Sequence, residues 1–123
     1  MEEVAEKPID IPTRAFEFGV RVIKLCRHLD EKPGVSRTLA SQLLRSGTSI
    51  GANVEEGQAA QSKADFVAKY SIALKEARET AYRLRLLTAA AVIPARRVDP
   101  LIDECSQLCR MLARAILSAR RRS

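Results

Sequence analysis

The sequence predicts an all-α protein: four amphipathic helices in an up-down-up-down bundle that assembles as a homo-oligomer. Three observations carry this prediction. Apolar residues recur with helical spacing in four separate runs. The five glycines and five prolines fall mostly between those runs. Hydrophobic residues make up 46% of the chain but aromatic residues only 4%, with no tryptophan. An apolar content built from Ala, Leu, Val and Ile suits helices, and 123 residues are enough for one domain with a real core.

The first helix is predicted over residues 13–29, with Thr13 as its N-cap after Pro12. Phe16, Val20 and Ile23 form one apolar stripe, and Phe18, Val22, Leu25 and Leu29 form a second. Arg14, Glu17, Arg21, Lys24 and His28 form the polar stripe. A helix with two apolar stripes has more than one neighbour to pack against. "DEKPG" then breaks the run.

The second helix is predicted over 36–56, with Ser36 as N-cap and Gly57 as a left-handed C-cap. Leu39, Leu43, Ile50 and Val54 share one face, with Gly47 among them. The third is predicted over 62–91, opened by Ser62 with Asp65 three residues on, a variant capping box. Its core face is Phe66, Tyr70, Ala73, Ala77, Ala81, Leu84 and Leu87. After "VIPARRVDP", the fourth is predicted over 99–119, with Asp99 as N-cap and Pro100 at the first helical position. Leu101, Cys105, Leu108, Leu112 and Ala115 line its core face. Residues 1–12 read as an acidic arm, 13–119 as the bundle and 120–123 as a basic tail.

Charge and composition narrow the function. The net charge is +6, unevenly spread, with the first dozen residues net negative and the C-terminal part the most basic. A basic body suggests a polyanionic partner, against the plainer reading of a charge that keeps the protein soluble. No apolar run is long enough to cross a membrane. The acidic opening lacks the apolar segment of a signal peptide, and three cysteines fit a reducing compartment, so a cytoplasmic protein is expected.

The segment "RSGTSIGANVEEG" (45–57) breaks local rules. It places Gly47 and Gly51 inside a helix, at about 1 kcal/mol each relative to alanine. It also places Glu55 and Glu56 near a C-terminus, where each opposes the helix dipole by about 0.3–1 kcal/mol. Ser46, Ser49, Asn53 and Glu56 form a polar stripe beside the glycines. Serine without a base is no nucleophile, so a structural reading is preferred. Asn53 and Glu56 are expected to bond the adjoining loop, the third helix or another subunit. Gly47 and Gly51 either allow a close helix neighbour or are simply tolerated.

This segment, "QLLRSGTSIGANVEEG" (42–57), and the helix "FVAKYSIALKEARETAYRL" (66–84) resemble the small four-helix proteins encoded within intervening sequences of bacterial large-subunit ribosomal RNA genes. Gln42, Leu43, Arg45, Ser49, Ile50, Asn53, Glu56 and Gly57 match that family's pattern, and Glu76 or Glu79 supplies its mid-helix carboxylate. Gly51 and Glu55 depart from it, standing where the family often has proline or another small residue and alanine. The resemblance implies a four-helix bundle and a homopentamer. It also implies RNA or ribosome association through the genomic setting. The accessory protein of diversity-generating retroelements is a more distant relative in the same sense. Gly47, Ser49, Gly51, Asn53, Glu56 and Gly57 are therefore assigned to structure or assembly.

Remaining candidates are basic. The third helix carries Lys75, Arg78, Tyr82 and Arg85 along one stripe. The first adds Arg14, Arg21 and Lys24, and the fourth adds Arg110, Arg114 and Arg121. Such a stripe can meet phosphates, and its tyrosine can stack on a base. The competing reading is an ordinary solvated face, since no recognised nucleic-acid motif is present. Repetition in a pentamer would multiply the +6 of each chain by five.

Cys26, Cys105 and Cys109 read as packed thiols rather than metal ligands, with His28 on another face from Cys26. No nucleophile–base pair, paired-acid site or cofactor motif stands out. The expectation is a non-catalytic, cofactor-free oligomer that associates with nucleic acid, RNA in preference. The rival is a scaffold for another protein with no direct nucleic-acid contact.

Overall fold

The computed structural model describes residues 10–122. Four helices form and, among the described residues, no strand: α1 (Ile11–Leu29), α2 (Val35–Gln58), α3 (Lys63–Ala89) and α4 (Asp99–Arg121). A single 3₁₀ turn, Ala95–Arg97, precedes α4. Each helix packs on the next, and α4 packs back on α1. One core results, in which Phe18, Val22, Leu43, Ile50, Leu84, Leu108 and Leu112 are fully buried.

α1 starts two residues before the predicted position. Asp10, not Thr13, is the cap: its Oδ2 accepts from the Thr13 amide at 3.0 Å and the Thr13 hydroxyl at 2.6 Å. Those bonds favour the ionised form and hold the Asp10 carboxyl below its ordinary range. Pro12 sits in the first turn, where no amide partner is missed. The part of the predicted acidic arm at 1–9 lies outside the described residues.

Only one of the two apolar stripes of α1 is covered. Phe18, Val22, Leu25 and Leu29 are buried, whereas Phe16 is 71% exposed and Val20 and Ile23 also face outward. The polar stripe also needs correction. Arg14 is only 8% exposed, because it pairs with Glu104 on α4.

α2 begins at Val35 without the predicted Ser36 cap. Gly34 takes a left-handed φ of 88°, and no side chain caps the helix. Ser36 instead donates its hydroxyl to the Leu29 carbonyl at 2.7 Å, so it binds the exposed end of α1. The helix runs past Gly57 to Gln58, so Gly57 is not the left-handed cap. It is a buried helical residue facing Tyr70.

The two other α2 glycines face α1 of the same chain. A Cβ at Gly47 would lie 2.7 Å from Val22 Cγ1, and one at Gly51 would lie 3.5 Å from the Ala15 carbonyl oxygen. Close approach of α1 explains glycine at 47 without a second subunit, whereas at 51 a Cβ would make only ordinary contact.

α3 opens as predicted, with the Asp65 amide donating to Ser62 Oγ at 3.0 Å. It stops at Ala89, two residues early, because Ala91 turns left-handed at φ 56°. The Val92 amide then reaches the Leu87 carbonyl and the Ala91 amide reaches that of Thr88, each at 3.0 Å. This pair of bonds is a Schellman closure. Inside the helix, Thr80 and Ser46 make a buried polar contact, and the Thr80 hydroxyl reaches Ser46 Oγ at 3.0 Å and the Glu76 carbonyl at 2.8 Å.

In α4 the cap position belongs to Val98, and Asp99 is the first helical residue. The end differs too. Arg120 and Arg121 belong to the last turn rather than to a tail, where positive charge complements the helix dipole. Arg122 follows the helix, and Ser123 lies outside the described residues. No described helix is long and apolar enough to cross a membrane.

Candidate nucleic-acid interface

α3 holds Lys75, Arg78, Tyr82 and Arg85 on its solvent side, all exposed. The Arg85 guanidinium lies 5.8 Å from the centre of the Tyr82 ring, a cation–π contact at an exposed site. Of the charged residues of α3, others turn towards α2. Arg83 donates to Gln42 Oε1 at 2.9 Å. Glu76 and Glu79 accept from Arg45 at 3.4 and 3.1 Å. These contacts leave the exposed stripe of α3 predominantly cationic.

The α3 stripe meets the α4 stripe at Cys109. Arg78 from α3 and Arg110 from α4 both stabilise the Cys109 thiolate. The neighbouring Cys105 thiol acts in the same direction and more strongly, and together they draw the Cys109 thiol below its ordinary value. Cys105 is fully buried, donates to the Ala77 carbonyl at 3.1 Å, and is pushed well above the usual thiol range. Cys26 is pushed up to about 11, chiefly by burial.

Beyond Arg110 the track continues over α4. Arg110 and Arg114 border a cleft of about 270 Å³ with Arg14, Gln107 and Met111. Arg114 also borders the next concavity, with Leu117, Ser118, Arg121 and Arg122. The seven residues assigned to nucleic acid therefore lie on the adjoining α3 and α4, with Arg110 the link between α3 and the clefts. Arg21 and Lys24 are exposed on α1 and line neither cleft.

Sequence reasoning placed Arg14 in solvent and gave Glu104 no role. Arg14 Nε donates to Glu104 Oε2 at 2.9 Å, and Nη2 donates to Glu104 Oε1 at 2.7 Å and Gln107 Oε1 at 2.8 Å. A signal was present in the spacing. Glu104 lies three residues after Leu101 and four before Leu108, on the core stripe of α4, where an unpaired carboxylate would be costly.

The residues assigned to structure or assembly divide. Asn53 does not reach another element as expected, since its amide donates to the Ser49 carbonyl at 2.9 Å, within α2. Ser49 likewise donates back to the Arg45 carbonyl at 2.7 Å. Glu56 does reach α3, with Lys69 Nζ 3.3 Å from its Oε1. Gly47, Gly51 and Gly57 all meet helices of their own chain. Among the described residues, no group of three or more His, Cys, Asp or Glu side chains could hold a metal ion.

A bundle with a glycine-bearing α2 laid on α1, and an Arg45 that bridges two mid-helix carboxylates of α3, defines a class of small all-helical proteins. Residues 7–114 match the family of the 23S rRNA-intervening sequence protein, and the chain belongs to that family. A solved structure from Bacteroides thetaiotaomicron, a protein with unknown function from the S23 ribosomal protein family, is similar at 38% identity. Its TM-score is 0.81, over 87% of this chain and 98% of that one. Among curated proteins there is no match.

Proposed function

We propose that this protein is a non-catalytic, cytoplasmic, oligomeric bundle that binds RNA through the electrostatics of its α3–α4 face. The observation that carries the reading is the continuity of Lys75, Arg78, Arg85, Arg110, Arg114 and Arg121 over two adjoining helices. The carboxylates Glu76 and Glu79 are drawn to the other side of α3 by Arg45. The family's connection with intervening sequences of 23S rRNA favours RNA over DNA as the polyanion.

The helices run up-down-up-down in this reading, and the copies associate through the outer stripe of α1. Phe16, Val20 and Ile23 there, with Leu44 of α2, are large apolar side chains left exposed in a single chain. A pentamer is the assembly proposed. It would gather five basic faces and raise the local field that attracts a polyanion. Binding of this kind reads phosphates rather than bases. The test is a titration of single-stranded RNA, duplex RNA and duplex DNA across a salt series. Salt-dependent binding supports the reading, while no binding at low salt favours a scaffold for a protein partner.

A further inference from the structure

The basic track is not uniform along its length. Most of its cations are exposed, with bonds or ring contacts only on their own helix, as Arg85 with Tyr82 and Arg110 with Ser106. Arg14, beside the track on α1, is held differently. Arg14 is buried, and its guanidinium is fixed by two bonds to Glu104 and one to Gln107. Gln107 is in turn fixed, donating to Asp103 Oδ2 at 3.0 Å. Arg14 thus forms a pre-set wall of the cleft that Arg110 and Arg114 overhang from α4.

We infer that this cleft is a phosphate site, in which Arg14, Arg110 and Arg114 surround one phosphate group. Arg14, Arg110 and Arg114 line about 270 Å³ of open space, with Met111 the only apolar residue in the lining. Guanidinium donors match tetrahedral oxyanions in pairs and stay charged at every relevant pH. No aromatic ring lines the cleft, so it offers nothing to stack a base or sugar ring. Glu104 neutralises the charge of Arg14 through its two bonds, so the net positive charge of the cleft comes from Arg110 and Arg114, and Arg14 contributes a positioned donor at Nη1. Asp103 accepts from Gln107, and Glu17 acts on Arg14.

The order of Arg14 sets this site apart from the rest of the track. A side chain already held in place loses little entropy when an anion arrives. Arg110, which donates to Ser106 Oγ at 3.0 Å, and Arg114, four residues on along α4, are exposed and can then close from one side. The neighbouring concavity at Arg121 and Arg122 shares Arg114, so a strand entering the cleft would find its next cations there. This inference deepens the RNA reading and rests on it only for the source of the phosphate. That source is either a backbone phosphate of RNA or free orthophosphate.

The experiment follows the arginine Nε–Hε signals of the full chain by NMR. Sodium phosphate is titrated against sodium chloride at matched ionic strength, and a single-stranded RNA is titrated in parallel. Arg110→Gln with Arg114→Gln removes the overhanging pair at exposed positions. Arg27→Gln with Lys32→Gln is the control of equal charge. Phosphate is expected to shift the Arg14 signal in the wild type and in the control. In the Arg110/Arg114 variant, phosphate affinity falls roughly tenfold, the loss expected for two charge-assisted contacts at a partly open site.

RNA displacing phosphate from the Arg14 signal identifies the backbone as the source. If phosphate binds and RNA does not, the cleft is a free-phosphate site and the RNA reading falls. A phosphate response no larger than that to chloride overturns the inference. So does an equal phosphate response in the Arg110/Arg114 variant, even if RNA still binds elsewhere.

Discussion

The ring of Tyr70 occupies the space in which a side chain on Gly57 would begin: a Cβ there would lie 2.6 Å from Cδ1 and Cε1. The ring is itself held in place. It stacks on Phe66 at 4.1 Å, and its hydroxyl donates to Gln58 Oε1 at 2.6 Å. Gly57→Ala is therefore expected to destabilise the protein, because overpacking at about 1–3 kcal/mol outweighs the gain in helix propensity of about 1 kcal/mol. Gly47→Ala should act in the same direction, against Val22 at 2.7 Å. Gly51→Ala should do the opposite, since its Cβ would make ordinary contact at 3.5 Å. Thermal melts of the three variants check this. A rise for Gly57→Ala, or a fall for Gly51→Ala, would contradict it.

Ala91 closes α3 in the left-handed region at φ 56°. A Cβ costs roughly 1–2 kcal/mol in that conformation, and glycine avoids it. Ala91→Gly should therefore raise stability by about 1 kcal/mol, even though glycine also gains freedom in the unfolded chain. The readout is the denaturant midpoint at an unchanged m-value. A lower midpoint would show that the turn is not strained by alanine.

The uncovered stripe of α1 is expected to hold copies together. Phe16→Asp adds a charge at a residue 71% exposed in one chain, so a monomer should tolerate it. In an oligomer that buries Phe16, it should dissociate the assembly and leave helix content intact. Light scattering distinguishes the two. A wild type that already runs at 13.6 kDa would remove the oligomer from the account.

The three thiols should separate by reactivity. Thiolate is the reactive form, and Cys109 alone is drawn below the ordinary value of 9.0. Its lowered value means that the thiolate is present at a lower pH than in a free cysteine. Cys26, at about 11, and the buried Cys105 should remain protonated. With limiting iodoacetamide at neutral pH, mass spectrometry should find Cys109 labelled first. Earlier labelling of Cys26 would overturn the assignment.

The helices were legible in the sequence because their apolar spacing is regular and their breaks carry Gly and Pro. Their ends were less so, for local reasons. Asp10 outcompetes Thr13 for the α1 cap because its carboxylate can accept from both the amide and the hydroxyl of that threonine. Gly57 has the residue type of a helix end, but what requires glycine there is the ring of Tyr70, thirteen residues later on α3. Arg14 followed the polar spacing of α1, and only the arrival of α4 made it a buried partner of Glu104. The basic stripes of α3 and α4 were each visible. Their meeting at Cys109 and the cleft at Arg14 depend on how helices pack, which periodicity within one helix does not encode.

The central claim is electrostatic RNA binding by the α3–α4 face, and the measurement that tests it most directly is RNA affinity against salt for two proteins. In the wild type, log affinity should fall linearly with log salt, with a slope of about −0.7 for each single-strand phosphate neutralised. Lys75→Gln, Arg78→Gln and Arg85→Gln, made together, should flatten that slope by up to about 2 and weaken different sequences alike. An unchanged slope and affinity in the triple variant would contradict the account, leaving the α3 stripe as no more than a solvated helix face.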